Sequence, residues 1–336
     1  MPRLITVYDP DHMQHDPVPH PEMAARALII HQAVQAADLG PIIQPLDFGL
    51  EPILALHTPN LVTFLQEVYQ LAAADRGEAG LVKPADFAIR PLPYKMPRSV
   101  WGKLGLYCSD IYTPVQEGTW RAAYQAVQAT LTAANEVING APVAYALCRP
   151  PGHHAYANMY GGYCYLNNAA IAAAWLAEQG RRPAILDIDY HHGNGTQSLV
   201  YGRGDVFFCS IHADPSDEYP FYAGYADETG EGDGAGATLN LPLPVGTGPA
   251  SYLQAVDEAL DAIARFQTDI LLISLGLDAY IGDPVGGFKL RTETFFEIGE
   301  RCRQLALPLL VVQEGGYLLE KLGQNAVSFL RGASGQ

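Results

Sequence analysis

Asp189 and His191 stand two residues apart in LDIDYHHGNG, a spacing that sends both side chains from one face of an extended segment. A third acid, Asp278, comes after the apolar run that ends in SLGL and meets the pair if the two segments are neighbours. Two carboxylates and one imidazole neutralise a divalent cation and leave coordination positions for water and a substrate oxygen, the pattern of a catalytic rather than a structural metal centre. A lone Asp after a strand is more often a cap or turn residue, so the triple carries the argument. Tandem histidines occur twice, as His153-His154 behind Pro150, Pro151 and Gly152, and as His191-His192 before Gly193. A loop stiffened in this way suits imidazoles held beside a reacting water, one of them removing its proton and returning it to a leaving amine. His192 and His212 read instead as buried core histidines. Asp187 and Asn194 flank the metal pair as hydrogen-bond partners that tune imidazoles. Tyr317, behind Gly315 and Gly316, is either an aromatic packed on a turn or a phenol donating to a developing oxyanion.

These residues need a scaffold that gathers them. Short apolar runs at 143–147, 184–188, 206–211, 270–275 and 308–312 read as buried strands. Helical patterns at 164–179, 249–266 and 292–306 lie between them, the first stopped by Gly180. Strand and helix in alternation predict an α/β fold with a mostly parallel central sheet and helices on both faces. Ligands in such folds bind beyond the carboxyl ends of strands. The five runs lead into RPPGHH, DIDYHHGNG, SIHADP, SLGLDAYIGDP and QEGGY, too many metal-ligand types for five ordinary turns. The stretch 84–119 is different: it lacks either periodicity and is crowded with Pro, Tyr and Trp, which predicts a functional loop.

Composition narrows the partners. With 336 residues, 49% hydrophobic and 17% charged, the chain is globular, and one domain over 1–336 is the simplest division. The balance of 20 basic against 36 acidic residues, a net charge of −16, excludes nucleic acid and anionic membrane surfaces and favours small cations or basic peptides. Five cysteines with no CxxC pair fit a reducing cytoplasm, and no apolar run approaches the ~18 residues that span a bilayer. A two-metal hydrolase needs more carboxylates than DIDYHH offers, so the residues favour a single ion.

Taken together, RPPGHH, GGYCYLNNAA, DIDYHHGNGTQ, SLGLDAYIGDP and EGGY resemble the zinc-dependent histone deacetylase superfamily, most closely its bacterial acetylpolyamine amidohydrolase branch. The likeness runs from YDPDH near the start to Leu319 and implies the three-layer arginase/deacetylase-like fold. It implies Zn²⁺ on Asp189, His191 and Asp278, a ligand set that also suits Fe²⁺. It makes His154 general base and acid, His153 its electrostatic companion and Tyr317 the group that polarises the amide carbonyl. Asp187 then pairs with His153 and Asn194 with His154, while Gly162, Tyr163 and Tyr219 line a channel for an alkyl chain. Asp187 and Ser210 fall where the family binds a structural K⁺. In this branch the insertion at 84–119 makes a homodimer contact and narrows the active-site entrance. The expected reaction is hydrolysis of N-acetyl polyamines or similar small cationic acetylamines, and the alternative is deacetylation of acetyl-lysine in peptides or proteins. Trp101 and Tyr112 align where polyamine-selective members carry glutamates, whereas the loop 214–233 has seven acids and no Lys or Arg. A binder without activity would not need base and oxyanion donor together.

Overall fold

The structure, a computed structural model, describes residues 3–77, 80–89 and 95–336. Among them the strands are β1 (Ile5–Val7), β2 (Ile42–Ile43), β3 (Val143–Ala146), β4 (Pro183–Asp187), β5 (Phe207–Ala213), β6 (Thr238–Leu243), β7 (Ile270–Leu275) and β8 (Leu309–Gln313). All pair in parallel in one sheet, in the order β2-β1-β3-β8-β7-β4-β5-β6. The helices are α1 (Ala25–Ala36), α2 (Glu51–Leu54), α3 (Pro59–Arg76), α4 (Val100–Tyr107), α5 (Thr119–Ile138), α6 (Asn168–Glu178), α7 (Asn194–Val200), α8 (Pro249–Arg265), α9 (Thr292–Gln304) and α10 (Leu319–Ser334).

Period-two alternation splits each central strand between two cores. In β7, Leu271, Ile273 and Leu275 enter the layer formed with α1, α8, α9 and α10, while Ile270 and Leu272 enter the layer formed with α5 and α6. Both faces are therefore apolar, as a parallel sheet covered on both sides requires. A third cluster joins α3, α4 and the outer faces of α5 and α6. All five cysteines are buried and unpaired, and among the described residues no helix is long and apolar enough to cross a membrane.

The five strands expected from sequence are present within about two residues at their ends. The helix expected over 164–179 begins later, at Asn168, because the Asn167 side chain accepts from Ala170 N and sets the start. The stretch 84–119 is not without regular structure: it contains α4, whose cap is Ser99 Oγ accepting from Trp101 N. Two glycines in VWGKLGLY thin its pattern, and docking on α3 stabilises it, with Phe64 and Tyr107 stacked at 4.7 Å. Residues 90–94 of the stretch lie outside the described residues. Trp101 packs toward α3: Nε1 donates to Asp75 at 2.8 Å and the Arg76 guanidinium lies 3.4 Å from the ring centroid.

His57, between α2 and α3, ties this outer layer to the site loops. Its Nδ1 donates to Tyr156 O at 2.9 Å and its Nε2 accepts from Asn167 N at 3.0 Å, a pairing only the neutral ring can make. Burial pushes its pKa down to about 4. The unfolded chain therefore binds the extra proton between pH ~6.5 and ~4, so stability from this residue is complete above that window and is lost as pH falls through it, by ~3 kcal/mol in all. In urea titrations, the stability gap between wild type and His57→Gln is expected to narrow from pH 7 to pH 4. A gap constant across that range refutes the assignment.

Candidate active site

Four adjacent strands, β3, β8, β7 and β4, deliver the chemistry at their carboxyl ends. β4 leads into Asp189 and His191, and β7, its hydrogen-bonded neighbour with Asp187 opposite Ser274, leads into Asp278. β8 leads into Glu314 and the glycines before Tyr317, and β3 into the Arg149-to-His154 loop. The condition set by the sequence, that the strands before Asp189 and Asp278 be neighbours, is met.

Ligand atoms of Asp189, His191 and Asp278 all lie within 4.8 Å of one another, and all three residues are buried. His191 Nδ1 stands 3.3 Å from Asp189 Oδ1 and 3.5 Å from Asp278 Oδ2. Backbone amides orient the carboxylates: Gly315 N donates to Asp189 Oδ2 and Tyr190 N to Asp278 Oδ1, both at 2.9 Å. Gly315 has no room for a side chain, since a β-carbon would sit 2.6 Å from Asp189 Oδ2. Asp278 Oδ2 is buried and finds no hydrogen-bond partner among the described residues. Burial and the neighbouring Asp189 raise the Asp278 carboxyl to about 7. A buried acid with an orphaned oxygen, beside a second acid and an imidazole, lacks a compensating cation, and the donor set fits a divalent metal ion.

The two histidines of GHH differ in environment. His153 Nδ1 donates to Asp187 Oδ2 at 3.0 Å, and although burial opposes charge, Asp189 and Asp187 raise this imidazole to about 10. His154 Nδ1 donates to Asn194 Oδ1 at 2.6 Å, which leaves Nε2 as the acceptor. Burial, then His153 and His191, push His154 well below its ordinary value. The ring centroids are 4.0 Å apart, so one cation beside one neutral base is the favoured pairing. Asp187 and Ser210 face each other in register on β4 and β5. His192 and His212 are buried, their rings tilted against each other with centroids 4.5 Å apart, and are held by Gln197, Ser210 and Gly224 O as core residues.

A cavity of about 330 Å³ leads to this group. Tyr163 and Tyr219 form its walls with Phe221, Gly162 lies beside His154, Tyr317 lies at the base, and Asp110 and Tyr112 stand on its lining. Tyr219 meets His154 edge-on at 4.9 Å, and Tyr163 meets Tyr317 edge-on at 5.8 Å. Gly162 and Tyr163 both have positive φ, 57° and 68°. That strained turn is clamped by the insertion: Gly162 N donates to Asp110 Oδ2 at 2.6 Å and Tyr163 N to Thr113 Oγ1 at 2.9 Å. Tyr317 is buried, which raises its phenol well above the ordinary value and keeps the proton available for donation.

Several supporting residues carry no signal of their own in the sequence. Arg26, on α1, donates to Gly316 O at 2.6 Å and Glu314 O at 2.7 Å, and lies 4.6 Å from the Tyr317 ring centroid. Glu22 binds both Arg26 and Arg149 in a buried network. Glu314, raised to about 7 by burial, accepts from Gly152 N and His153 N and so holds the histidine loop. Asp283 accepts from Tyr317 N at 2.7 Å. Glu314 sits inside the EGGY motif, but Glu22 and Arg26 come after a Pro-rich start with no periodic cue.

The sequence matches the histone deacetylase domain over residues 20–333. Acetylpolyamine amidohydrolase 1 of Pseudomonas aeruginosa is 45% identical, with 99% of each chain covered. The acetylpolyamine amidohydrolase of Mycoplana ramosa is 40% identical over 95% of this chain and 93% of its own. The crystal structure of acetylpolyamine aminohydrolase from Burkholderia pseudomallei superposes with a TM-score of 0.93 at 41% identity, covering 98% of both chains. A shared fold alone would not fix kinship, but near-complete coverage at this identity, over the strand ends that carry the site, does: the chain belongs to the histone deacetylase family.

Proposed function

We propose that this protein hydrolyses the N-acetyl amides of polyamines or similar small cationic acetylamines to amine and acetate. The observation that carries the reading is the aromatic cavity, lined by Asp110, Tyr163, Tyr219 and Phe221, that reaches His191 of the buried Asp189, His191 and Asp278 cluster. Its tyrosine walls suit a thin alkyl chain, and among the described residues its lining includes the acid Asp110 but no Lys or Arg.

Asp189, His191 and Asp278 would hold a divalent ion, zinc with this ligand set, which would supply Lewis acidity and lower the pKa of water. His154 Nε2 takes the proton from water as the water oxygen attacks the acetyl carbon, and Asn194 keeps the opposite nitrogen protonated. Tyr317 donates its phenol hydrogen to the carbonyl oxygen as charge collects there, and Arg26 and Asp283 fix its position. The C–N bond then breaks, His154 returns the proton to the amine nitrogen, and acetate forms. His153, paired with Asp187, contributes a fixed positive charge near the developing anion. Asp187 and Ser210, in register on adjacent strands, would hold a structural K⁺.

Steady-state assays of N-acetylputrescine beside an acetyl-lysine peptide test the substrate, with kcat/KM expected to be at least tenfold higher for the acetylamine. Asp110→Asn is expected to raise KM for both N-acetylputrescine and neutral N-acetylbutylamine, because the same carboxylate holds the Gly162 turn, and to raise it several-fold more for the cation. A preference for the peptide overturns the polyamine reading in favour of acetyl-lysine. Exposed Phe87, Ile89 and Met96 on the insertion suit self-association as a homodimer; a monomer in sizing experiments at micromolar concentration removes that proposal.

A further inference from the structure

Beside the reaction cavity lies a second one, of about 370 Å³, lined by Tyr156, Tyr201, Tyr222, Glu228, Glu231 and Asn194 among others. Among the described residues no Lys or Arg lines it. Phenol rings with two carboxylates are the surroundings that an aliphatic ammonium ion selects, through charge and through contact of its methylenes with aromatic faces. Tyr222 is 92% exposed, although burying an aromatic ring is strongly favourable, so its face is free to receive a ligand. Glu228 is anchored by Gln197 Nε2 and Gly224 N, both donating to its Oε2, so one carboxylate of the cavity is held in place before any ligand arrives.

The cavity also touches the catalytic machinery from behind. Asn194, which accepts from His154 Nδ1, donates through Nδ2 to Tyr156 Oη at 2.9 Å. The path from cavity to base is thus two hydrogen bonds, Tyr156 to Asn194 to His154. An ammonium group donating to Tyr156 Oη competes there with Asn194 Nδ2, and Asn194 is the residue that orients His154 through Nδ1.

We propose that this second cavity is a regulatory site for an aliphatic polyammonium ion, and that its occupation slows the chemical step through Tyr156, Asn194 and His154. Resting on the acetylamine reading of the reaction cavity, it makes the deacetylated amine an inhibitor at a place other than where it is produced. An amine competing only in the reaction cavity raises KM and leaves kcat unchanged; one bound behind His154 lowers kcat.

The test uses the metal-loaded enzyme, neutral N-acetylbutylamine or the acetyl-lysine peptide as substrate, and spermidine as the added ion. Spermidine is expected to lower kcat saturably, by at least threefold, and calorimetry is expected to show two bound spermidines per chain. The double variant Glu231→Gln, Tyr222→Ala is expected to weaken the spermidine effect on kcat at least tenfold in concentration while any effect on KM persists. Purely competitive inhibition, a spermidine stoichiometry that the double variant leaves unchanged, or a variant that keeps the wild-type effect on kcat would each overturn the proposal. Because neither readout depends on turnover of an acetylpolyamine, failure of the substrate reading and failure of this site give different results.

Discussion

Asp189→Ala and Asp278→Ala are each expected to purify with far less than one metal ion per chain and to lose activity by about 10³-fold or more, since the Lewis acid contributes several kcal/mol to the barrier. The reason is visible in the geometry. Only three side chains converge on the point, His191 Nδ1 faces both acids, and Asp278 Oδ2 finds no hydrogen-bond partner among the described residues. Removing one carboxylate leaves two ligands and a net charge too small to hold a divalent ion against solvent. Asp278→Ala is expected to keep its fold, because losing that buried acid removes its repulsion with Asp189. Elemental analysis showing about one zinc per chain in either variant refutes the ligand assignment, and about one iron per chain in wild type changes the ion but not the ligands.

The second large effect separates the roles proposed for Tyr317 and His154. Tyr317→Phe removes an oxyanion donor and nothing that holds metal or proton, so the ion stays bound, KM changes little and kcat falls by about 10² to 10³, or roughly 3 to 4 kcal/mol. His154→Ala removes the proton carrier. Its residual rate is expected to lose the acid limb that wild type shows, because that limb reports protonation of the imidazole at Nε2, whereas Tyr317→Phe keeps the limb at lower amplitude. Burial and the neighbouring His153 and His191 hold the His154 pKa low, so the limb lies on the acid side of neutrality, with activity rising as pH rises through it. Near wild-type kcat in Tyr317→Phe, or an unaltered profile in His154→Ala, refutes the corresponding role.

How much of the fold and site is legible in the sequence depends on how locally each feature is encoded. Asp189 and His191 are legible because two-residue spacing at a strand end fixes their common direction, and Asp278 becomes legible once a parallel sheet is inferred. The strands show because burial on both faces makes them continuous apolar runs, as in ILLISL of β7. β6 is harder to see: TLNLPL is a half-exposed edge strand interrupted by a proline. α4 is short and Gly-containing, and tertiary contact with α3 decides its state. Arg26 and Glu22 reach Gly316 and Arg149 across long stretches of the chain, and a long-range ion network leaves no periodic trace. Gly315 shows as part of a motif, but that its missing β-carbon makes space for Asp189 is evident only in three dimensions.

The position of β8 governs how this protein is made. The last strand in sequence is the fourth of eight in space, wedged between β3 and β7. Until residues 309–313 are available, the sheet consists of two separate halves, with His153 and His154 on one and Asp189, His191 and Asp278 on the other. A nascent chain emerging from the ribosome cannot assemble the centre piecemeal, and its half-sheets expose apolar edges until insertion of β8 closes them. Such contacts between distant segments slow folding. Catalytic competence and a closed sheet thus arrive in one late, cooperative event, which makes activity a direct reporter of completed folding.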